Sequence, residues 1–171
     1  MLGRFIGSVR RNHALEHATI AVLANKLGHD VRLVGRATFN GFYLYGDLRE
    51  DQIRECANEA LQRLRHGEGY LAVSPMCGTN LAVAGVLAGL SSMVALGSRG
   101  RLERTPNVLL ASMLAVLAAQ PLGRYVQQYF TTDTDLADTE VLGIRTGGRG
   151  PGRFHKIDTR RGASSAAYAS P

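Results

Sequence analysis

A chain of 171 residues with 45% hydrophobic side chains is long enough for one buried core, with room for a small appendage. Its two cysteines exclude a disulfide-stapled framework. A net charge of +6 and a pI near 9.8 bring nucleic acid and anionic lipid into view, but no nucleic-acid reading motif accompanies the charge.

In chain order, the first expected element is a helix capped at Asn12, running to about Leu27 and stopped by Gly28. It carries His13-Ala14-Leu15-Glu16-His17, an H-x-x-E-H pattern. Two imidazoles four residues apart share one helix face and can reach one metal ion, with the Glu16 carboxylate beside them. That points to hydrolysis or proton transfer at a metal. The competing reading is a hydrogen-bonded histidine pair in a core or on a surface.

Two strands follow, Val31 to Ala37 and Phe39 to Gly46, joined at Asn40-Gly41 or forming one strand bent there. Asp47 and Glu50 read as a capping box opening a second helix that reaches His66 and stops at Gly67. Its apolar positions Ile53, Ala57, Ala60, Leu61 and Leu64 repeat at the helical period, so one face packs on a sheet. Tyr70 to Val73 reads as a further short strand. The fold class expected is α+β, a small sheet with two helices, one of them the H-x-x-E-H metal helix, over residues 1–79.

The composition then changes. Between Gly69 and Ser98 no residue is charged, and Thr105 to Gly123 is uncharged as well; Arg99, Arg101, Glu103 and Arg104 lie between. This predicts an inserted transmembrane helical hairpin over 80–124, each helix near the lower end of the ~17–25 residues that span a bilayer. Gly85 and Gly89 form a G-x-x-x-G suited to close helix approach. A hairpin buried in a soluble core, or one that mediates oligomerisation, is the alternative. Residues 125–160 hold two more strands, Thr139 to Arg145 and Phe154 to Thr159, which would complete the first sheet; 161–171 has a disordered composition.

Several single residues receive a reading. Cys56 falls at an apolar helical position and reads as core. Thr38, Asn40 and Asn80 read first as turn and strand-end residues, and second as polar contacts for a substrate. His29 reads as a loop residue, His66 as a cation at a helix C-terminus, and His155 as part of a basic tail. That tail, Arg145 to Arg161, sets six Lys/Arg against one Asp and suits anionic headgroups. Arg10 and Arg11 read as a solvated or lipid-facing pair, or as binders of a substrate carboxylate. The apolar run before Arg11 is too short for a cleaved signal peptide. The expected location is the bacterial cytoplasmic membrane, with the histidine-bearing part on the cytoplasmic side.

With the elements placed, His13 to Asn80 resembles the metal-binding portion of the S-ribosylhomocysteine lyases. More distantly it resembles the pitrilysin-type metallopeptidases, which share the H-x-x-E-H helix. The features correspond in order: His13, Glu16 and His17; the segment Gly41-Phe42-Tyr43-Leu44; a turn at Gly46; a helix with the early acids Glu50 and Asp51; and Cys77-Gly78. The resemblance implies that His13, His17 and Cys77 bind the metal, that Glu16 is the general acid/base, and that the site lies in a homodimer. His/His/Cys is a sensible donor set for a catalytic zinc, with iron as a second choice. Thr38 stands where the lyases carry a catalytic cysteine, His13 lies too near Met1 for their N-terminal substrate-binding region, and the hairpin is foreign to them. Lyase activity is therefore not expected. Asn12-His13-Ala14-Leu15-Glu16-His17-Ala18-Thr19-Ile20 also resembles an uncharacterised family of bacterial membrane proteins.

The leading expectation is a membrane-anchored, zinc-dependent metallohydrolase acting on a peptide or small molecule. The alternative is a non-catalytic membrane subunit or assembly factor whose metal site is structural or absent. A haem or pigment site is a third reading, although no C-x-x-C-H is present.

Overall fold

The computed structural model describes residues 2–28, 33–97 and 105–162, which form two units. One contains the chain up to Val73 and again from Thr132; the other is Ser74–Thr131.

The first unit is α+β. Its helices are α1 (Leu2–Leu27) and α2 (Glu50–Arg65), and its strands are β1 (Val34–Thr38), β2 (Gly41–Tyr45), β3 (Thr139–Gly147) and β4 (Phe154–Arg161). The strands form one antiparallel sheet in the order β1-β2-β4-β3, so β4, last in sequence, lies inside the sheet between β2 and β3. Alternation sends Phe42, Leu44, His155 and Ile157 to the helix-covered face, with Tyr43, Tyr45, Phe154 and Lys156 on the other. The core joins Leu15, Val22 and Leu23 of α1, Ile53, Ala60, Leu61 and Leu64 of α2, and Phe42, Leu44, Ile144 and Ile157 of the sheet. Each large side chain so buried contributes roughly 1.5–3 kcal/mol.

Three local expectations change. The first helix begins at Leu2, and Asn12 lies inside it, 3% exposed. Its amide donates to the carbonyls of Thr38 and Phe39 (2.8 and 3.1 Å) and accepts from Thr159 Oγ1 (2.7 Å). Those long-range bonds satisfy an asparagine that would otherwise compete with the helix backbone. The second helix starts at Glu50, with Gln52 Oε1 accepting from the Arg49 amide (3.3 Å), so Asp47 is not its cap; Asp47 instead pairs with Arg153 (2.7 Å). Tyr70–Val73 is not a strand: Gly69–Ala72 forms a 3-10 turn. Residues 31 and 32 of the first expected strand, and His29, lie outside the described residues.

The β1–β2 hairpin turns at Phe39-Asn40 with Thr38 opposite Gly41. Gly41 has φ +132°, and a Cβ there would strike the Ile157 carbonyl of β4, so only glycine closes this corner. The Arg145–Arg161 stretch is the β3–β4 hairpin rather than a tail, and its charges are partly paired: Arg145 with Asp158 (2.8 Å) and Arg160 with Glu140 (3.6 Å). Arg10 and Arg11 are tied inward as well, Arg10 to the Thr132 carbonyl (2.8 Å) and Arg11 to Asp133 (3.5 Å).

The second unit is a helical hairpin of α3 (Gly78–Leu96) and α4 (Thr105–Val126), the latter continued by one π-helical turn, Gln127–Thr131. The connector 98–104 lies outside the described residues. Both helices are long and apolar enough to cross a membrane. Most of their large side chains point outward: Leu81 is 77% exposed, Val94 82%, Met113 66% and Leu117 68%. The sheltered positions include Asn80, Ala84, Ala88 and Ser92 on α3 and Ser112, Ala115, Ala119 and Gly123 on α4, with Val83, Leu87, Val108 and Val126 half-buried as well. Gly85 and Gly89 are exposed, with no atom near where a Cβ would stand, so the G-x-x-x-G is not the packing face. The Ser92 and Ser112 hydroxyls bond to each other at 2.8 Å.

Candidate metal centre

At 100° per residue, His13, Glu16 and His17 fall within one 100° arc of α1. The helix keeps them together over the sheet because Ala14, Leu15, Ala18, Val22 and Leu23 on the adjoining surface are packed into the core. The two imidazole rings lie 4.3 Å apart, centre to centre, with planes at 63°. His17 is 6% exposed, and its Nδ1 meets the Ala72 carbonyl at 2.8 Å. A carbonyl only accepts, so Nδ1 donates, which leaves Nε2 as the ring's one nitrogen for a ligand, the arrangement second-sphere carbonyls impose on metal-binding histidines. The 3-10 turn that replaces the expected strand supplies that carbonyl.

Glu16 is 5% exposed and faces the sheet at Gly35 in β1. A Cβ at residue 35 would overlap the Glu16 carboxyl, so the glycine makes the room in which that carboxyl sits. Sequence reading did not pick out Gly35; the signal was a glycine interrupting a strand pattern, which marks a close approach by another group.

Cys77 belongs to the second unit, as the N-cap of α3, and its sulfur accepts from the Thr79 amide at 3.4 Å. A helix N-terminus favours a negatively charged ligand atom. In the chain, Cys77 stands five residues after Ala72, the residue whose carbonyl fixes His17. Five residues reach at most ~18 Å when fully extended.

The other candidates resolve into structural roles. Thr38 Oγ1 and Asn40 Oδ1 both accept from the Lys156 ammonium (2.8 and 3.1 Å), which also lies 4.8 Å from the centre of the Tyr43 ring. Burial pushes the Lys156 amine below its ordinary range. His155 is 1% exposed on the inner face of β4, bonded through Nδ1 to Thr146 Oγ1 (2.8 Å); burial lowers its pKa, and the nearby Arg153 adds to this. It is a core residue and not part of a tail. Burial raises the Cys56 thiol in the α1–α2 core. His66 caps α2, its Nδ1 on the Gln62 carbonyl at 2.7 Å.

The molecule is thus an α+β protein with an apolar helical hairpin inserted between α2 and β3, and on its first helix a pair of edge-packed histidines of which His17 is buried and His13 partly exposed. The chain belongs to the family described as a domain of unknown function (DUF6391), whose model matches residues 8–144. It is 37% identical over 138 residues to an uncharacterized protein of Picosynechococcus sp. (strain ATCC 27264 / PCC 7002 / PR-6). The alignment covers 72% of this chain and 65% of that relative, so the chain spans less than two thirds of the relative's length. No solved structure matches the chain.

Proposed function

We propose that the protein is a membrane-anchored metallohydrolase of peptidase-like chemistry, with zinc or iron held by His13, His17 and Cys77 and with Glu16 as the general base. The observation that carries this reading is the oriented pair: two imidazoles 4.3 Å apart, one fixed through Nδ1 by a backbone carbonyl, with a buried carboxyl three residues along the same helix. The donor chemistry fits zinc, which takes neutral imidazole and thiolate in sites that leave a coordination position open.

A metal held there supplies Lewis acidity toward a substrate carbonyl. Glu16 takes the proton from the attacking water and delivers it to the leaving group, a contribution of about 10²–10⁴ in rate for a positioned base. Gly35 leaves the space in which that carboxyl sits. The outward apolar side chains of α3 and α4 support their burial in lipid.

The test is Glu16→Gln in full-length protein in detergent, with metal content and peptide hydrolysis measured together. Retained metal with turnover reduced at least a hundredfold is the expected result. Full activity in this variant sinks the mechanism.

A further inference from the structure

We infer that Asn80 and Gln127 form an amide clamp that positions the Cys77 loop for metal binding; this rests on the metal reading above and deepens it. The loop Ser74–Cys77 leads into α3 and contains no regular structure of its own. Its shape is set from two side chains. Gln127 Oε1 accepts from the Ser74 amide (2.9 Å), while its Nε2 donates to the Ser74 carbonyl (3.0 Å) and to Asn80 Oδ1 (2.7 Å). Asn80 Nδ2 donates to the carbonyls of Ser74 (3.3 Å) and Pro75 (2.9 Å), and the Cys77 amide closes back on Ser74 (3.3 Å).

One carboxamide therefore grips both backbone groups of Ser74, which requires a donor and an acceptor at fixed spacing, and the Gln127 amide offers both without charge. Gln127 is 0% exposed and Asn80 5%. Polar groups buried at the end of an apolar hairpin are costly unless bonded, and these are bonded. A Cβ at residue 123 would overlap Asn80 Oδ1, so Gly123 of α4 makes room for the clamp.

Helix pairing alone does not account for this arrangement. Small residues and the Ser92–Ser112 bond already join α3 to α4. The bonds of Gln127 Oε1 and Nε2 to Ser74, and those of Asn80 Nδ2 to Ser74 and Pro75, go instead to the backbone of the residues that lead into Cys77. The function of the clamp is to fix the thiolate's direction before metal arrives, as outer-sphere bonds do at other metal sites.

The experiment is a Co(II) titration of full-length protein in detergent, following the thiolate-to-cobalt charge-transfer band, with helix content from far-ultraviolet circular dichroism. Gln127→Met is expected to weaken Co(II) about 10- to 100-fold and to diminish the band, with helix content unchanged. Ser112→Ala, which loosens the same helix pair at a distance from the loop, is expected to bind as wild type. Wild-type affinity and spectrum in Gln127→Met overturn the clamp and leave the metal reading standing. Equal weakening by Ser112→Ala also overturns it, because the effect would then be helix pairing. If wild type itself takes up no Co(II), the metal reading falls and the clamp with it. Should Gln127→Met lose its helices, Gly123→Ala decides: it presses on Asn80 while retaining both amides, and unchanged Co(II) affinity in that variant overturns the inference.

Discussion

The two units sort their side chains in opposite ways. In the first, Phe42, Leu44, Leu15 and Ile157 are fully buried, while its ion pairs, such as Lys26 with Glu55 and Glu59 and Arg54 with Glu50, lie at the surface. In the second, Leu81, Val94, Met113 and Leu117 are outside, and Asn80, Ala119, Gly123 and Gln127 are inside. A hairpin built for water would lose the benefit of burying these large apolar side chains; one built for lipid loses nothing. The difference teaches that the first unit holds itself together by burying its large apolar side chains, whereas the second leaves most of its own outside on two helices long and apolar enough to cross a membrane. In the sequence, Ala72, whose carbonyl orients His17, and Cys77 stand on either side of the boundary between the units.

The contrast can be broken at three points, taken from the largest expected effect. Phe42→Ala empties the centre of the first unit and should cost about 3–5 kcal/mol, whereas Met93→Ala, 71% exposed on α3, should leave thermal unfolding of the first unit unchanged. Equal losses in a thermal melt would erase the distinction between the units. Next, Leu117 and Tyr70 are nearly equally exposed, at 68% and 67%. Lysine at 117 should cost about 2.5–3.5 kcal/mol of membrane insertion, seen as loss from the membrane fraction, while lysine at 70 should change stability by under about 0.5 kcal/mol. Two neutral outcomes would mean that α3 and α4 face water.

The smallest effect is a pH dependence in the first unit. His155 is held neutral by burial, with a pKa lowered from the ordinary histidine value of 6.5. Below 6.5 the unfolded chain binds a proton that the folded one resists, so stability is intact above that pH and declines as pH falls toward the lower folded value. His155→Gln should flatten the melting temperature between pH 7 and pH 5. An unchanged slope would place the pH response on another group.

Much of this was legible in the sequence. The amphipathic period of α2, the Gly28 and Gly67 stops and the two apolar runs are local signals, and local signals survive folding. What was not legible depends on contacts distant in sequence. Asn12 looks like a cap because its partners, Thr38, Phe39 and Thr159, lie 26 to 147 residues away. Tyr70 to Val73 has strand composition, yet a four-residue apolar run does not distinguish a strand from a tight turn. The hairpin offered two small-residue registers side by side. Asn80, Ala84, Ala88 and Ser92 fall on one line of α3, and the polar bonds at both ends of that line select it over Gly85 and Gly89. At the candidate site, the sequence placed His13, Glu16 and His17 on one face. The carbonyl that orients His17 and the glycine that admits Glu16 come from other elements and could not be read from the helix. Gln127 carried one faint signal, an amide at the end of an apolar helix.

The most direct test of the central claim is elemental analysis of full-length protein purified in detergent, wild type beside His17→Ala and Cys77→Ser. The account predicts about one zinc or iron per wild-type chain, lost or strongly weakened in both variants, as expected when one of three ligands is removed. A metal-free wild type, or metal retained in both variants, would contradict it and leave a non-catalytic membrane subunit as the reading of this chain.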